Sequence, residues 1–349
     1  MIPGGSSSGA PRTLAIIHRS GIGDLIWHIP YLRALAAHSE GGRITLIARP
    51  SSRAGEILAA EACIEQVIEF DIHPRKSEAR VGRHDGLSAQ LAFARGLRTQ
   101  GFERAVILGA RARYALLAWL AGIPRRAGFG FSAFERLWLN QPPFIRPYRG
   151  PGNWVYPEVT AFCLAQGYTD SPLIPKMRVL PAAMHTAAQV LDALPHPRYA
   201  FAIGASEARK HWGDVRYAEL AQILIECGAS VVLLGGPAEE ASARAIVEQL
   251  PDHARARIRI SAQPSIQTSA ALLRQCDFCL GNDTGALNMA AANDLPALGL
   301  FGSTPPLLHD PLLSGLPAHG MDAITPADVI ARLTELGAPG LARTGEAVT

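Results

Sequence analysis

The chain has little of four things that assign a class early: excess charge, paired cysteines, long apolar runs and a dinucleotide glycine fingerprint. Its net charge is only +3 over 349 residues, from 33 basic and 30 acidic side chains. That is well short of the basic footprint of a nucleic-acid binder, so no nucleic-acid partner is expected. The five cysteines, Cys63, Cys163, Cys227, Cys276 and Cys279, are odd in number and scattered. This argues against a disulfide framework and for reduced thiols in a cytoplasmic protein. Cys276-x-x-Cys279 has no second ligand pair nearby, so it reads as two buried structural thiols rather than a zinc site. No apolar run reaches the roughly 18 residues of a membrane span, and any membrane contact is therefore expected to be peripheral, at the inner face of the cytoplasmic membrane. The opening MIPGGSSSGAP has neither the positive n-region nor the apolar h-region of a secretion signal, and residues 1–12 read as a flexible leader.

The fourth absence falls just after the first apolar run, in HRSGIGDLIWH. Gly21 and Gly23 are followed by Asp24, Leu25 and Ile26, so G-x-G-x-x-G is not completed, and an acid stands where a pyrophosphate would lie. A nicotinamide or flavin cofactor is disfavoured. Asp24, at the carboxyl end of a strand, is instead a candidate general base acting on a hydroxyl, with helix N-capping as the competing reading.

What is present is a soluble, enzyme-like composition, 48% hydrophobic and 18% charged. Short aliphatic runs alternate with longer Ala/Leu-rich helical patterns, as βαβ units with a parallel sheet require. TLAIIH, ITLIA, QVIEF and AVILG are the first set of strands; YAFAIGAS, SVVLLGGP, FCLGND and ALGLFGS are the second. The Pro-, Gly- and Arg-rich stretch Arg125 to Trp154 reads as irregular loop, and TDSPLIPKMRVLP as an extended linker. The expectation is an α/β chain of two Rossmann-like, doubly wound parallel-sheet domains, 13–180 and 181–336, facing a central cleft, with a flexible tail at 337–349. Thr325 and Pro326 read as N-cap and first residue of the last helix.

Three strand-to-helix junctions of the second half carry polar side chains. In GASEARKHW a small-residue turn offers backbone N–H groups, Ser206 a hydroxyl and Lys210 a cation, an arrangement suited to phosphate oxygens; the alternative is a solvated loop. In GGPAEE the double glycine lets a ligand approach the backbone, and a carboxylate can receive ribose hydroxyls, although Glu239 and Glu240 also read as first-turn acids on a helix dipole. In GNDTGALN, Thr284 and Gly285 fit around a diphosphate, while Asp283 would repel it and suits helix capping or sugar hydroxyls. Trp27 and His28, one turn after Asp24, are candidates for the acceptor side or for the core. The basic stretch His73 to His84 is either a solvated loop or a receiver for an anionic acceptor.

Taken together, Gly23-Asp24 with Pro30, Lys210-His211-Trp212, Gly235-Gly236-Pro237 with Glu239, and Asp283-Thr284-Gly285 through Phe301-Gly302 resemble family-nine glycosyltransferases, whose best-known members are the bacterial heptosyltransferases of lipopolysaccharide core assembly. The resemblance runs from about Leu14 to the terminal helix. It implies a GT-B fold and inverting transfer onto a hydroxyl of a glycan or glycolipid acceptor. It further implies no essential metal and no cofactor beyond the co-substrate, a nucleotide-diphosphate sugar expected to be ADP-heptose. By position it makes Asp24 the catalytic base, Ser206 and Lys210 phosphate contacts, Glu239 the ribose contact, and Asp283, Thr284 and Gly285 diphosphate and sugar contacts. Two positions depart from the pattern: Asn288 stands where heptosyltransferases typically carry His, and Trp27 where some do. Asn288 keeps hydrogen bonding but supplies no positive charge to a departing diphosphate. A non-catalytic nucleotide-sugar binder and a nucleotide-sugar epimerase on the same two-domain plan are the competing classes.

Overall fold

The computed structural model describes residues 9–17, 21–74, 79–205, 207–262, 265–302, 305–306 and 309–341. The chain divides into two compact units, Met1–Leu173 and Ile174–Thr349, within the span read as linker.

The first unit carries β1 (Thr13–Ile16), β2 (Ile44–Ala48), β3 (Ile64–Glu69), β4 (Arg104–Ile107) and β5 (Arg125–Gly128). All pair in parallel in the order β3-β2-β1-β4-β5. β1 and β2 are buried along their whole length, as the unbroken aliphatic runs TLAI and ITLIA require when helices cover both faces. One core gathers Leu14, Ile16, Ile47, Phe70, Ile107 and Tyr114 against the helices Leu87–Arg98 and Ala112–Leu120. β5 corrects the sequence reading, which took Arg125 to Trp154 as irregular throughout; a short helix, Ala133–Arg136, follows it. The strand was hidden because it is an edge, four residues long, that opens on two arginines.

The second unit holds β6 (Arg198–Ala202), β7 (Ser230–Leu234), β8 (Ile258–Ser261), β9 (Phe278–Asn282), β10 (Ala297–Phe301) and β11 (Leu313–Pro317), all parallel, in the order β11-β10-β9-β6-β7-β8. Counted within the unit this is the doubly wound order in which the chain first runs one way across the sheet and then returns to continue the other way. β7, β9 and β10 are buried throughout, as is β6 after its first residue, Arg198. β9 and β6 approach closely enough that a Cβ on Gly281 would stand 2.3 Å from the Ala202 carbonyl oxygen, so only glycine fits there. The last helix, Pro326–Glu335, begins as expected: the Thr325 hydroxyl accepts from the Asp328 N–H while the Asp328 carboxylate accepts from the Thr325 N–H.

Candidate active site

In the second unit the connections leave β6 and β9 toward opposite edges of the sheet, which makes the carboxyl ends of these two neighbouring strands the switch point where open α/β sheets take ligands. Asn282, the buried last residue of β9, holds the junction together. Its Nδ2 donates to the carbonyls of Ile203 (2.8 Å) and Gly204 (3.1 Å), and its Oδ1 accepts from the Trp212 N–H at 3.1 Å. Both ends of the loop leaving β6 are thus tied to one side chain. Trp212 is itself buried; its indole N–H donates to the Ile324 carbonyl at 2.8 Å and its ring meets Tyr217 edge-on. Sequence reasoning passed over Asn282, although an amide ending an apolar strand beside Asp283 was a visible signal.

With the loop so held, Lys210, at the end of the short turn Ala208–Lys210, reaches across to β9, and its Nζ donates to Asp283 Oδ2 at 2.8 Å. The two side chains are only 16% and 19% exposed, so the pair sits partly shielded at the switch point rather than in open solvent. Asp283 does not occupy the capping position. The N-cap of the helix Gly285–Ala292 is Thr284, whose side chain makes no capping bond and whose hydroxyl is buried without a hydrogen-bond partner. The helix therefore opens with its positive dipole end and no side-chain cap. Asn288 is buried one turn inside the same helix.

Glu239 belongs to this end of the sheet too. Its Oε2 accepts from the Gly236 N–H at 2.7 Å, and a Cβ on Gly235 would stand 2.6 Å from the Glu239 Cβ. The Glu239 Cδ lies 3.5 Å from where a Cβ on Gly204 would be, so the carboxylate lies over the glycines leaving both β6 and β7. Glu240 points elsewhere and pairs with Arg244 one helical turn on. Ser206 lies outside the described residues.

In the first unit Asp24 is the third residue of the helix Ile22–Ala37, whose N-cap is Gly21 and carries no side-chain cap. Its carboxylate folds back toward the helix start, with Oδ2 3.3 Å from where a Cβ on Gly21 would stand. His28 and Trp27 are both buried. The His28 Nδ1 lies 2.6 Å from the Asp24 carbonyl oxygen, and because a carbonyl only accepts, Nδ1 carries the proton. His28 thereby braces the backbone that carries Asp24.

A cavity of about 390 Å³ opens in this unit at the ends of β2, β3 and β4, lined by Arg49, His73, Arg111, Arg113 and Tyr114 among others. Three arginines from two separate strand-to-helix junctions were not legible as one cluster in the sequence. Much of the basic stretch His73 to His84 is engaged internally: Arg80 forms a two-pronged bond to the buried Asp71, and the Arg83 N–H donates to the same carboxylate. Hydrogen bonding by Arg80, ahead of the opposing effect of burial, holds the Asp71 carboxyl below its ordinary range. Residues 75–78 of the stretch lie outside the described residues.

The chain is 26% identical to lipopolysaccharide heptosyltransferase 2 of Escherichia coli K12, over 61% of this chain and 65% of that protein. It resembles in fold the structure of E. coli ADP-heptose lps heptosyltransferase II, with a TM-score of 0.71, 21% identity and coverage of 93% of this chain and 98% of that one. A family 9 glycosyl transferase from Veillonella parvula superposes with a TM-score of 0.76 at 18% identity, covering 94% of this chain and 97% of its own. These likenesses bear out the two parallel-sheet α/β units read from the strand alternation and the GT-B class that the family resemblance implied. Residues 90–318 match the sequence profile of glycosyltransferase family 9 (heptosyltransferase), and with well over half of its length matched the chain belongs to that family.

Proposed function

We propose that the protein is an inverting glycosyltransferase that moves a sugar, with ADP-heptose as the leading donor, onto a hydroxyl of a lipopolysaccharide core or related glycolipid acceptor, without a metal. The observation that carries the reading is the Lys210–Asp283 pair at the switch point of the second sheet, beside a helix that opens without a side-chain cap. That set offers a cation, N–H groups of a helix start and the Thr284 hydroxyl for a diphosphate. It also offers two carboxylates, Asp283 and Glu239, for sugar and ribose hydroxyls. A phosphate oxygen competes with Asp283 for Lys210, and in taking the ammonium it frees the carboxylate to accept from the transferred sugar. Asp24 supplies the base: the acceptor hydroxyl loses its proton to the carboxylate as its oxygen forms a bond to the anomeric carbon. The bond from that carbon to the diphosphate breaks on the opposite face, and Lys210 with the helix start stabilises the departing charge.

The named relatives support heptose. Asn288 in place of histidine leaves the departing diphosphate one positive charge fewer, so Lys210 carries more of the stabilisation here. The arginine-lined cavity of the first unit fits an anionic group on the acceptor, and a lipid-borne acceptor fits peripheral contact with a membrane.

Thermal shift with ADP, UDP, GDP and their sugars tests the donor. A ligand at about 100 times its dissociation constant adds roughly 2.7 kcal/mol of apparent stability. The expected outcome is selective stabilisation by ADP species, lost in Lys210→Ala. Preference for UDP or GDP would overturn heptose, and no response to any nucleotide would overturn the donor site.

A further inference from the structure

The first unit carries an exposed apolar surface apart from the residues assigned to the transfer reaction. Trp119, the penultimate residue of the helix Ala112–Leu120, is 48% exposed, and Phe134 and Leu137, on and just after the short helix Ala133–Arg136, are 61% and 69% exposed. Trp138 joins the two rings, and Leu137 precedes it in the chain. The Trp138 ring lies 5.1 Å from Trp119 and 6.5 Å, edge-on, from Phe134. Beneath it the Arg126 guanidinium donates to the Trp138, Ile123 and Pro124 carbonyls, which holds the segment rigid. Two large aromatic rings joined through Trp138, with a leucine beside it in the chain, each close to or more than half exposed, gather apolar surface at one place.

The surroundings of the patch state which partner it fits. From Arg125 to Arg149 the chain carries five arginines and a single acid, Glu135, which is buried. This stretch is thus more positive than the whole chain, whose net charge is +3. Arg136 stands between Phe134 and Leu137, its guanidinium stacked over Phe144 at 5.1 Å and its Nε donating to the Gly130 carbonyl. Arg125 is exposed on the neighbouring edge strand, where it pairs with Glu103 at 3.0 Å. Tryptophan and phenylalanine rimmed by arginine are the composition that partitions into the headgroup boundary of a bilayer, the rings among the glycerol and upper acyl groups and the guanidiniums on lipid phosphates. A protein partner of the same area would more commonly meet interspersed charges of both signs.

We infer that Trp119, Phe134, Leu137 and Trp138, with the arginines around them, form a docking face for an anionic phospholipid surface. The inference concerns membrane contact alone and holds whatever sugar the protein transfers. Among the described residues no helix is long and apolar enough to cross a membrane, so this face would lie on the bilayer and not within it.

The test is co-sedimentation of the full chain with vesicles of phosphatidylcholine alone and with about a third phosphatidylglycerol, at low and high salt. Trp119→Ser with Phe134→Ser and Leu137→Ser is the test variant, and a matching thermal melt shows that it is folded. Because the substituted side chains are largely exposed, the fold should persist; Arg136→Glu alone serves as a second variant. Wild type is expected to bind anionic vesicles at least about tenfold more tightly than neutral ones, less so in high salt, with a blue shift of tryptophan emission, and both variants to lose most of that binding. Failure of wild type to bind, or undiminished binding by the triple variant, would overturn the inference. A wild-type dimer in light scattering that the triple variant dissolves, without vesicle binding, would reassign the patch to a second copy of the chain.

Discussion

Asp24 and Lys210 carry the two halves of the proposed chemistry, and single substitutions separate them. Asp24→Ala removes the base and should lower turnover by about 10²- to 10⁴-fold while nucleotide binding stays within about twofold; steady-state kinetics beside a binding isotherm reads both. Lys210→Ala should instead weaken ADP binding and slow the chemical step together, because the ammonium meets a charge that grows as the diphosphate departs. A third residue, His84, reports on stability. Its Nδ1 accepts the Asp71 N–H at 3.0 Å and its ring packs on Phe70 and Phe93. Burial, followed by repulsion from Arg83, holds this imidazole below its ordinary value, and a protonated ring cannot accept that N–H. The unfolded chain therefore takes up the proton first as pH falls. The stability His84 contributes is complete above about pH 6.5, the ordinary histidine value, and declines below it until the folded state titrates as well. Urea unfolding at several pH values should show that decline in wild type and a flatter one in His84→Gln; parallel curves would contradict it.

At the scale of elements, the junction of β6 and β9 is where fold and site depend on the same atoms. Asn282→Ala deletes three hydrogen bonds from a buried position and should cost about 2–4 kcal/mol. It should also weaken ADP binding, because the loop carrying Lys210 loses its tie at both ends; unchanged affinity in a folded variant would reduce Asn282 to a purely structural role. Gly281→Ala, which forces a Cβ toward the Ala202 carbonyl, should destabilise by roughly 1–3 kcal/mol or more. What the sequence revealed and concealed divides along the same lines. The strands covered on both faces, such as ITLIA and SVVLL, were legible because parallel-sheet burial leaves an unbroken aliphatic run. β5, β8 and β11 were missed: RRAG, IRIS and LSGLP are edge strands, and an edge shares its positions with arginine, serine, glycine and proline.

At the scale of the whole molecule, two units each close their own core around a parallel sheet. Heat should therefore unfold the chain in more than one step, with ADP raising chiefly the step that belongs to the second unit; calorimetry with and without ADP reads this directly. The proposed donor residues stood out in the sequence because they sit on short strand-to-helix junctions, where a glycine, a hydroxyl and an acid at fixed spacing suit a diphosphate. The arginine cavity was not, since Arg49 and Arg111 are brought together only by the order in which the strands pair. The measurement closest to the central claim is ADP release from ADP-heptose with and without a lipopolysaccharide core acceptor that lacks heptose, with the anomeric configuration of the product read by NMR. The account predicts that release depends on the acceptor, yields the inverted linkage and is nearly abolished in Asp24→Ala. Donor binding without turnover, or isomerisation of the sugar with no acceptor present, would contradict it.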